Sequence, residues 1–194
     1  GRKPRTENLG LENLGVKTEG GRILVNEKME TSVPGVYAVG DVTGGFMLAH
    51  VAMHEGIVAA ENAMGLRSKA DYRAVPRCVY TQPEAAFVGL TEEEARKESK
   101  NVETALFPFS ANGRAATLSE TKGVAKLVFD GELKEILGAQ VVGPEASELV
   151  HELVLAMKVE ATVEDLAGMM HAHPTLSETI KEVALKAEKM PIHL

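Results

Sequence analysis

The segment His171-Ala172-His173-Pro174-Thr175-Leu176-Ser177-Glu178 holds the residue types that proton transfer needs. An imidazole, with an unperturbed pKa of about 6.5, works as acid and as base near neutrality. A carboxylate on its other ring nitrogen fixes the tautomer and stabilises the imidazolium. Glu178 lies five residues beyond His173, past a proline turn, which is close enough for that role. Glu178 is also position N3 of a capping box opened by Thr175, and on the residues alone capping is the stronger reading. The two roles are compatible, since one oxygen can cap while the other meets the imidazole. His171 and His173 alternate, and His50 and His54 stand four apart on a helical pattern. Either pair could share a metal, but no third ligand is evident, so no metal site is expected. The single cysteine, Cys78, excludes an internal disulfide, a Cys-rich metal site and a redox dithiol within these residues. It sits in a strand-like run and reads as a plain buried thiol.

A second stretch carries binding chemistry. Thr31 to Asp41 reads TSVPGVYAVGD: a Pro34-Gly35 turn, an apolar run Val36 to Val39, then Gly40-Asp41. The apolar run predicts a short buried parallel strand. Residues 42 to 46 form a glycine-rich loop, and Met47 to Met64 predicts a helix ended by Gly65. Its inward face is expected to hold Leu48, Val51, Ala52, Gly56, Ala59, Ala60 and Ala63. Strand, glycine loop and helix form a βα unit, whose loop is where α/β folds bind ligands. Gly40 permits close approach of a ligand. Asp41 offers a carboxylate, although a loop Asp near a helix start is common by itself. Met47, Leu48, Ala49 and His50 open the helix, where unpaired backbone N–H groups favour negative charge.

The elements around these residues predict a mixed fold. Residues 1 to 30 are polar and glycine-rich, with Arg22 to Val25 as the one short strand. Past a polar linker the rhythm changes. Arg77 to Tyr80, Ala85 to Val88 and Val102 to Phe109 read as strands, and Val124 to Phe129 and Glu135 to Val142 flank an Asp130-Gly131 hairpin signal. Thr91 to Glu94 is a capping box opening a short charged helix. Pro144 opens a helix with Leu149, Val150, Leu153, Val154 and Met157 on one face. Thr162 begins a short helix, and Thr175 caps a last one with Ile180, Val183 and Ala184 inward. The fold class is thus an incomplete α/β portion over 1–72, followed by an α+β unit over 73–194 with an antiparallel sheet and helices. With 44% hydrophobic and 25% charged residues, disorder is set aside. A formal charge of -7 argues against nucleic acid or anionic membrane as partner. No run of about 18 apolar residues predicts a membrane helix. One cysteine beside eight methionines suits a reducing compartment.

Three stretches in order resemble the dihydrolipoamide dehydrogenases, the lipoamide-oxidising members of the flavin-dependent disulfide oxidoreductases. Thr31 to Asp41 matches their pattern of Thr, four residues, two apolar residues, Ala, apolar, Gly, Asp. Met47-Leu48-Ala49-His50 opens the following helix, and His171 to Glu178 stands near the end. Phe107-Pro108-Phe109, Ala111-Asn112 and Arg114-Ala115 fit the interface domain of that family. Gly1 to Thr6 looks like the exit from its NAD domain.

The resemblance implies an FAD- and NAD-dependent oxidation of dihydrolipoamide. His173 would be the acid/base and Glu178 its orienter, serving a disulfide on the partner subunit. Gly40, Asp41, Met47, Leu48, Ala49 and His50 would face FAD, and Gly1 matches a glycine near the nicotinamide cofactor. Pro174 matches a cis proline. The family's Gly-rich FAD loop, cysteine pair and NAD domain have no match here, so a C-terminal part is expected. Residues 1–72 would end the FAD domain, with 1–6 a tail from the NAD domain, and 73–194 would be the interface domain. This part alone is expected to be inactive and to bind neither FAD nor NAD. The implied partners are a second copy of the chain, as a homodimer, and dihydrolipoamide on the acyltransferase or carrier protein of a 2-oxoacid dehydrogenase complex. The implied compartment is a cytoplasm or a mitochondrial matrix. The rival readings are a standalone dimerisation module and a sibling such as glutathione or mercuric reductase. His171-Ala172 before His173-Pro174 favours the lipoamide enzyme, and the ending Met190 to Leu194, without a cysteine pair, stands against mercuric reductase.

Overall fold

The computed structural model of the protein describes residues 1–98 and 101–193. The chain forms two compact units, Gly1–Tyr72 and Arg73–Leu194. The interface span expected over 73–194 includes positions 99, 100 and 194, which lie outside the described residues.

In the first unit, α1 (Leu11–Leu14) precedes a small antiparallel hairpin of β1 (Thr18–Glu19) and β2 (Arg22–Ile23). A 3-10 turn, Gly40–Thr43, leads to the one long helix, α2 (Ala49–Ala63). The run Val36 to Val39 does not form the expected parallel strand. Tyr37 makes an isolated antiparallel bridge to Glu30, and the Ala38 N–H donates to the Met29 carbonyl. A parallel strand exists only with a partner strand beside it, and the described residues of this unit offer none. The helix expected from Met47 opens at Ala49, because Met47 is left-handed at φ 50° and Leu48 is extended. A left-handed residue cannot continue a right-handed helix. The buried face also differs: Val51, Glu55, Val58 and Ala59 point inward, while Ala60 and Ala63 are exposed. Two small clusters hold the unit, one around Val16, Ile23 and Ala38 and one around Met29, Val58 and Ala59.

The second unit is built on a five-stranded antiparallel sheet. Its strands are β3 (Arg77–Val79), β4 (Glu84–Gly89), β5 (Val102–Pro108), β6 (Val124–Asp130) and β7 (Ile136–Gly143), in the order β3-β4-β7-β6-β5. The register lines up two apolar rows across the sheet. Val88, Ala139, Leu127 and Ala105 form one, and Ala86, Val141, Ala125 and Phe107 the other. All eight are buried. Small alanines opposite large residues leave room for helices on that face. Those helices are α5 (Ala146–Lys158), which buries Val150, Leu153 and Ala156, and α7 (Glu178–Ala187), which buries Ile180, Val183 and Ala184. The short helices α3 (Glu92–Glu98), α4 (Gly113–Leu118) and α6 (Val163–Gly168) complete the unit. Gly143 is required by packing: a Cβ there would lie 2.4 Å from the Phe109 ring.

The capping box of Thr91 and Glu94 forms with both reciprocal bonds, and so does that of Thr162 and Asp165. Pro144 does not open α5, which starts two residues later after Glu145 at φ 54°. The mixed α/β fold with its antiparallel sheet is the class read from the pattern of elements. None of the described helices is long and apolar enough to cross a membrane.

Candidate active site

The segment 169–177 is irregular chain between α6 and α7. It carries His173 at its middle, with cis peptide geometry at His173–Pro174. His173 Nδ1 lies 2.9 Å from Glu178 Oε1. The other carboxylate oxygen, Oε2, accepts the Thr175 N–H at 2.8 Å. One carboxylate therefore meets the imidazole and caps the chain entering α7 at the same time. The reciprocal half of the Thr175 box is not formed, because the Thr175 hydroxyl donates to the Ala172 carbonyl at 2.7 Å. The His173 side chain is 72% exposed and Glu178 only 19%. Burial pushes the Glu178 carboxyl up, but the Thr175 N–H and the His173 imidazole outweigh it and hold the group below its ordinary value. It is thus ionised at neutrality and keeps a proton on Nδ1 of the neutral ring. Nε2 is left as the nitrogen that can accept a proton from outside.

Two further groups hold this segment and a third holds residues 192 and 193, and the sequence reading missed all three. Asn112, buried before α4, donates from Nδ2 to the Thr175 carbonyl at 3.1 Å and to Thr179 Oγ1 at 3.0 Å. Its Oδ1 caps α4 by accepting the Ala115 N–H. An Asn before Gly113 is an N-cap signal, but nothing local shows its reach to residue 175. Glu152 of α5 lies 2.9 Å from His171 Nε2. Glu182, one turn beyond Glu178, meets His193 Nδ1 at 2.7 Å and accepts the Ile192 and His193 N–H groups.

The residues expected to face a cofactor lie in the first unit. Asp41 is exposed in the 3-10 turn. Gly40, at φ 75°, packs against α2: a Cβ there would stand 3.1 Å from Ala52 Cβ. Close approach at Gly40 thus serves the helix. Its N–H donates to Glu55 Oε2 at 2.6 Å, and Glu55 Oε1 accepts the Tyr72 hydroxyl at 2.8 Å. Burial and the Glu55 carboxylate push the Tyr72 hydroxyl pKa upward. The spacing Val51, Glu55, Val58 put a carboxylate on a buried helix face, which is a readable sign of a partnered buried acid. Met47 and Leu48 form the turn before α2, and the exposed Ala49 and His50 open it without a side-chain cap. Gly1 is exposed, and Arg2 beside it donates to the Met47 carbonyl at 3.2 Å. An open groove of about 420 Å³ in this unit is lined by Gly44, Gly45, Phe46, Glu55 and Tyr72 among others, not by Asp41 or 47–50. Cys78 is half-buried rather than buried, and burial with the Glu84 and Glu148 carboxylates raises its thiol pKa, which disfavours the thiolate. Among the described residues no group of three or more His, Cys, Asp or Glu is placed to hold a metal.

Family models match both units. The dimerisation domain of the pyridine nucleotide-disulphide oxidoreductases matches residues 75–184, and the pyridine nucleotide-disulphide oxidoreductase model matches 1–56. The chain belongs to the pyridine nucleotide-disulphide oxidoreductases. Among curated members it is 56% identical to a dihydrolipoyl dehydrogenase of Thermus scotoductus, over all of this chain and 42% of that one. It is 48% identical to the mitochondrial dihydrolipoyl dehydrogenase 2 of Arabidopsis thaliana, over all of this chain and 38% of that one. The chain thus spans about two-fifths of the length of these family members. Among solved structures, LpdA from Mycobacterium tuberculosis superposes with a TM-score of 0.89 at 33% identity, over 95% of this chain and 40% of that one. The flavoprotein disulfide reductase RclA from Escherichia coli superposes at 0.87 and 28% identity, over 95% of this chain and 43% of that one.

Proposed function

We propose that the chain is the C-terminal part of a dihydrolipoyl dehydrogenase, a homodimer that oxidises dihydrolipoamide with NAD. In this reading 1–72 ends the FAD domain, with 1–6 leaving the NAD domain, and 73–194 is the interface domain. The observation that carries it is the exposed His173 imidazole held by the partly buried, ionised Glu178. A thiol must lose its proton before its sulfur can attack a disulfide. His173 Nε2 takes that proton, and Glu178 stabilises the imidazolium through Nδ1–H. The thiolate then attacks a disulfide supplied outside these residues, by the partner subunit. The second thiol follows by the same base, and the proton leaves through solvent at the open ring.

The first unit offers a fit for the flavin on its own geometry. The exposed Asp41 carboxylate can accept hydroxyl hydrogen bonds, and the first N–H groups of α2 have no side-chain cap, so negative charge is favoured before them. FAD, when bound, supplies the two-electron acceptor between dithiol and NAD⁺. Gly1 would lie toward the nicotinamide cofactor. The dithiol is that of dihydrolipoamide on the acyltransferase or carrier protein of a 2-oxoacid dehydrogenase complex, in a cytoplasm or a mitochondrial matrix.

The test replaces the matching segment of the Thermus scotoductus enzyme with this chain and follows NAD reduction by dihydrolipoamide. An active, FAD-containing chimera that loses about 10²–10⁴-fold in kcat on His173→Gln is the expected result. A chimera that binds FAD and dimerises but is indifferent to His173→Gln would sink the assignment. Faster turnover with glutathione disulfide and a reduced nicotinamide would move the reading to a glutathione reductase.

A further inference from the structure

We infer that Glu152 and His171 form a positioning pair that holds the His173 loop in register for proton transfer, an inference that rests on the acid/base reading of His173. The loop 169–177 has no ladder of its own, and the exposed His173 ring cannot be fixed by packing. Its backbone must be fixed by neighbours instead. His171, two residues earlier, turns the opposite way: its side chain is 4% exposed against 72% for His173. Nε2 of the buried ring meets Glu152 Oε1 at 2.9 Å, and Nδ1 faces the Met169 carbonyl at 3.5 Å. Glu152 stands on α5, whose neighbours Val150 and Leu153 are locked in the core. An apolar side chain at 171 would fill the same space without setting the direction of the chain. A directed hydrogen bond to a rigid helix sets it. Asn112 holds the other side of His173 at the Thr175 carbonyl, so the base sits between two anchors. A displacement of about 1 Å at a reacting group costs on the order of 10²-fold in rate.

The test uses the full-length protein with Glu152→Ala, Glu152→Gln and His173→Gln. Rapid mixing with dihydrolipoamide reads flavin reduction, and NADH oxidation by ferricyanide reads the half-reaction that needs no thiol base. Glu152→Ala is expected to slow dithiol-driven reduction roughly 10-fold to 100-fold at unchanged half-saturation. The ferricyanide rate should stay within about twofold, and Glu152→Gln, which keeps an acceptor oxygen, should recover most of the loss. Should Glu152→Ala not fold, Glu152→Asp, which retracts the carboxylate by one methylene, reads the same loss. An unchanged dithiol rate in these variants overturns the pair. So does an equal loss in both half-reactions, which marks general destabilisation. His173→Gln separates the two ideas: if it leaves the dithiol rate intact, the acid/base reading itself has failed.

Discussion

At the scale of single residues, Glu178 joins chemistry and stability. One of its oxygens meets His173 Nδ1, the orienting role proposed above, and the other caps the entry to α7. Glu178→Gln should separate these roles in the full-length protein. The amide oxygen can still accept the Thr175 N–H, so α7 keeps its entry. The amide NH₂ then faces Nδ1 as a donor, which moves the ring proton to Nε2 and removes the base. The expected outcome is folded protein with a loss of about 10²–10⁴-fold in dithiol oxidation; a loss under about threefold would reject the orienting role. The same carboxylate sets a pH dependence. Its folded pKa lies below the unfolded value of about 4.3. Its contribution to stability is therefore whole above that value and is lost as pH falls through the folded titration. Denaturant melts from pH 7 down to pH 3 should show a shallower acid limb in Glu178→Gln than in the parent. Parallel limbs would show that the carboxylate adds no linked stability.

At the scale of elements, Asn112 ties the start of α4 to the loop before α7. Asn112→Ala removes the cap on the Ala115 N–H and leaves the Thr175 carbonyl without its donor. A lost cap and an unsatisfied buried group each cost on the order of 1–3 kcal/mol. Thermal or denaturant melts should report that loss, and amide exchange around residues 172–176 should quicken with it. An unchanged melt would mean that water replaces the amide. This bond also marks what was legible in the sequence. Features closed within a few residues could be read: the capping box at Thr91, the helix start at Thr162, the strands β3 to β7, and the reach from His173 to Glu178. Features that depend on distant partners could not. Glu152 and His171 stand 19 residues apart and Asn112 and Thr175 stand 63 apart, so only the packing of α5 and α4 beside the loop joins them. The run Val36 to Val39 has the composition of a buried strand, but strand formation belongs to the pair, and its flanks hold no partner strand here. The starts of α2 and α5 slipped by two residues because Met47 and Glu145 take left-handed conformations that their residue types do not announce.

At the scale of the whole molecule, the second unit carries the proposed acid/base pair, while Cys78 is the one cysteine among these 194 residues. In the function proposed above, the disulfide that His173 serves comes from the partner subunit. The surface is suited to such a contact. Leu155, Val159, Met170 and Tyr80 are more than 60% exposed in this unit. The matched family model is a dimerisation domain, and exposed apolar side chains are where such a contact would bury surface. In light scattering at high micromolar concentration, the chain should run at twice its 20.8 kDa mass. Leu155→Lys with Met170→Lys should lower that to one copy while circular dichroism stays unchanged, because neither side chain belongs to the core. Doubled mass that survives both substitutions would place the contact on another face. A single-copy mass for the unsubstituted chain would mean that pairing needs more than these residues provide, and the standalone dimerisation reading would then fail first, because it rests on this surface alone.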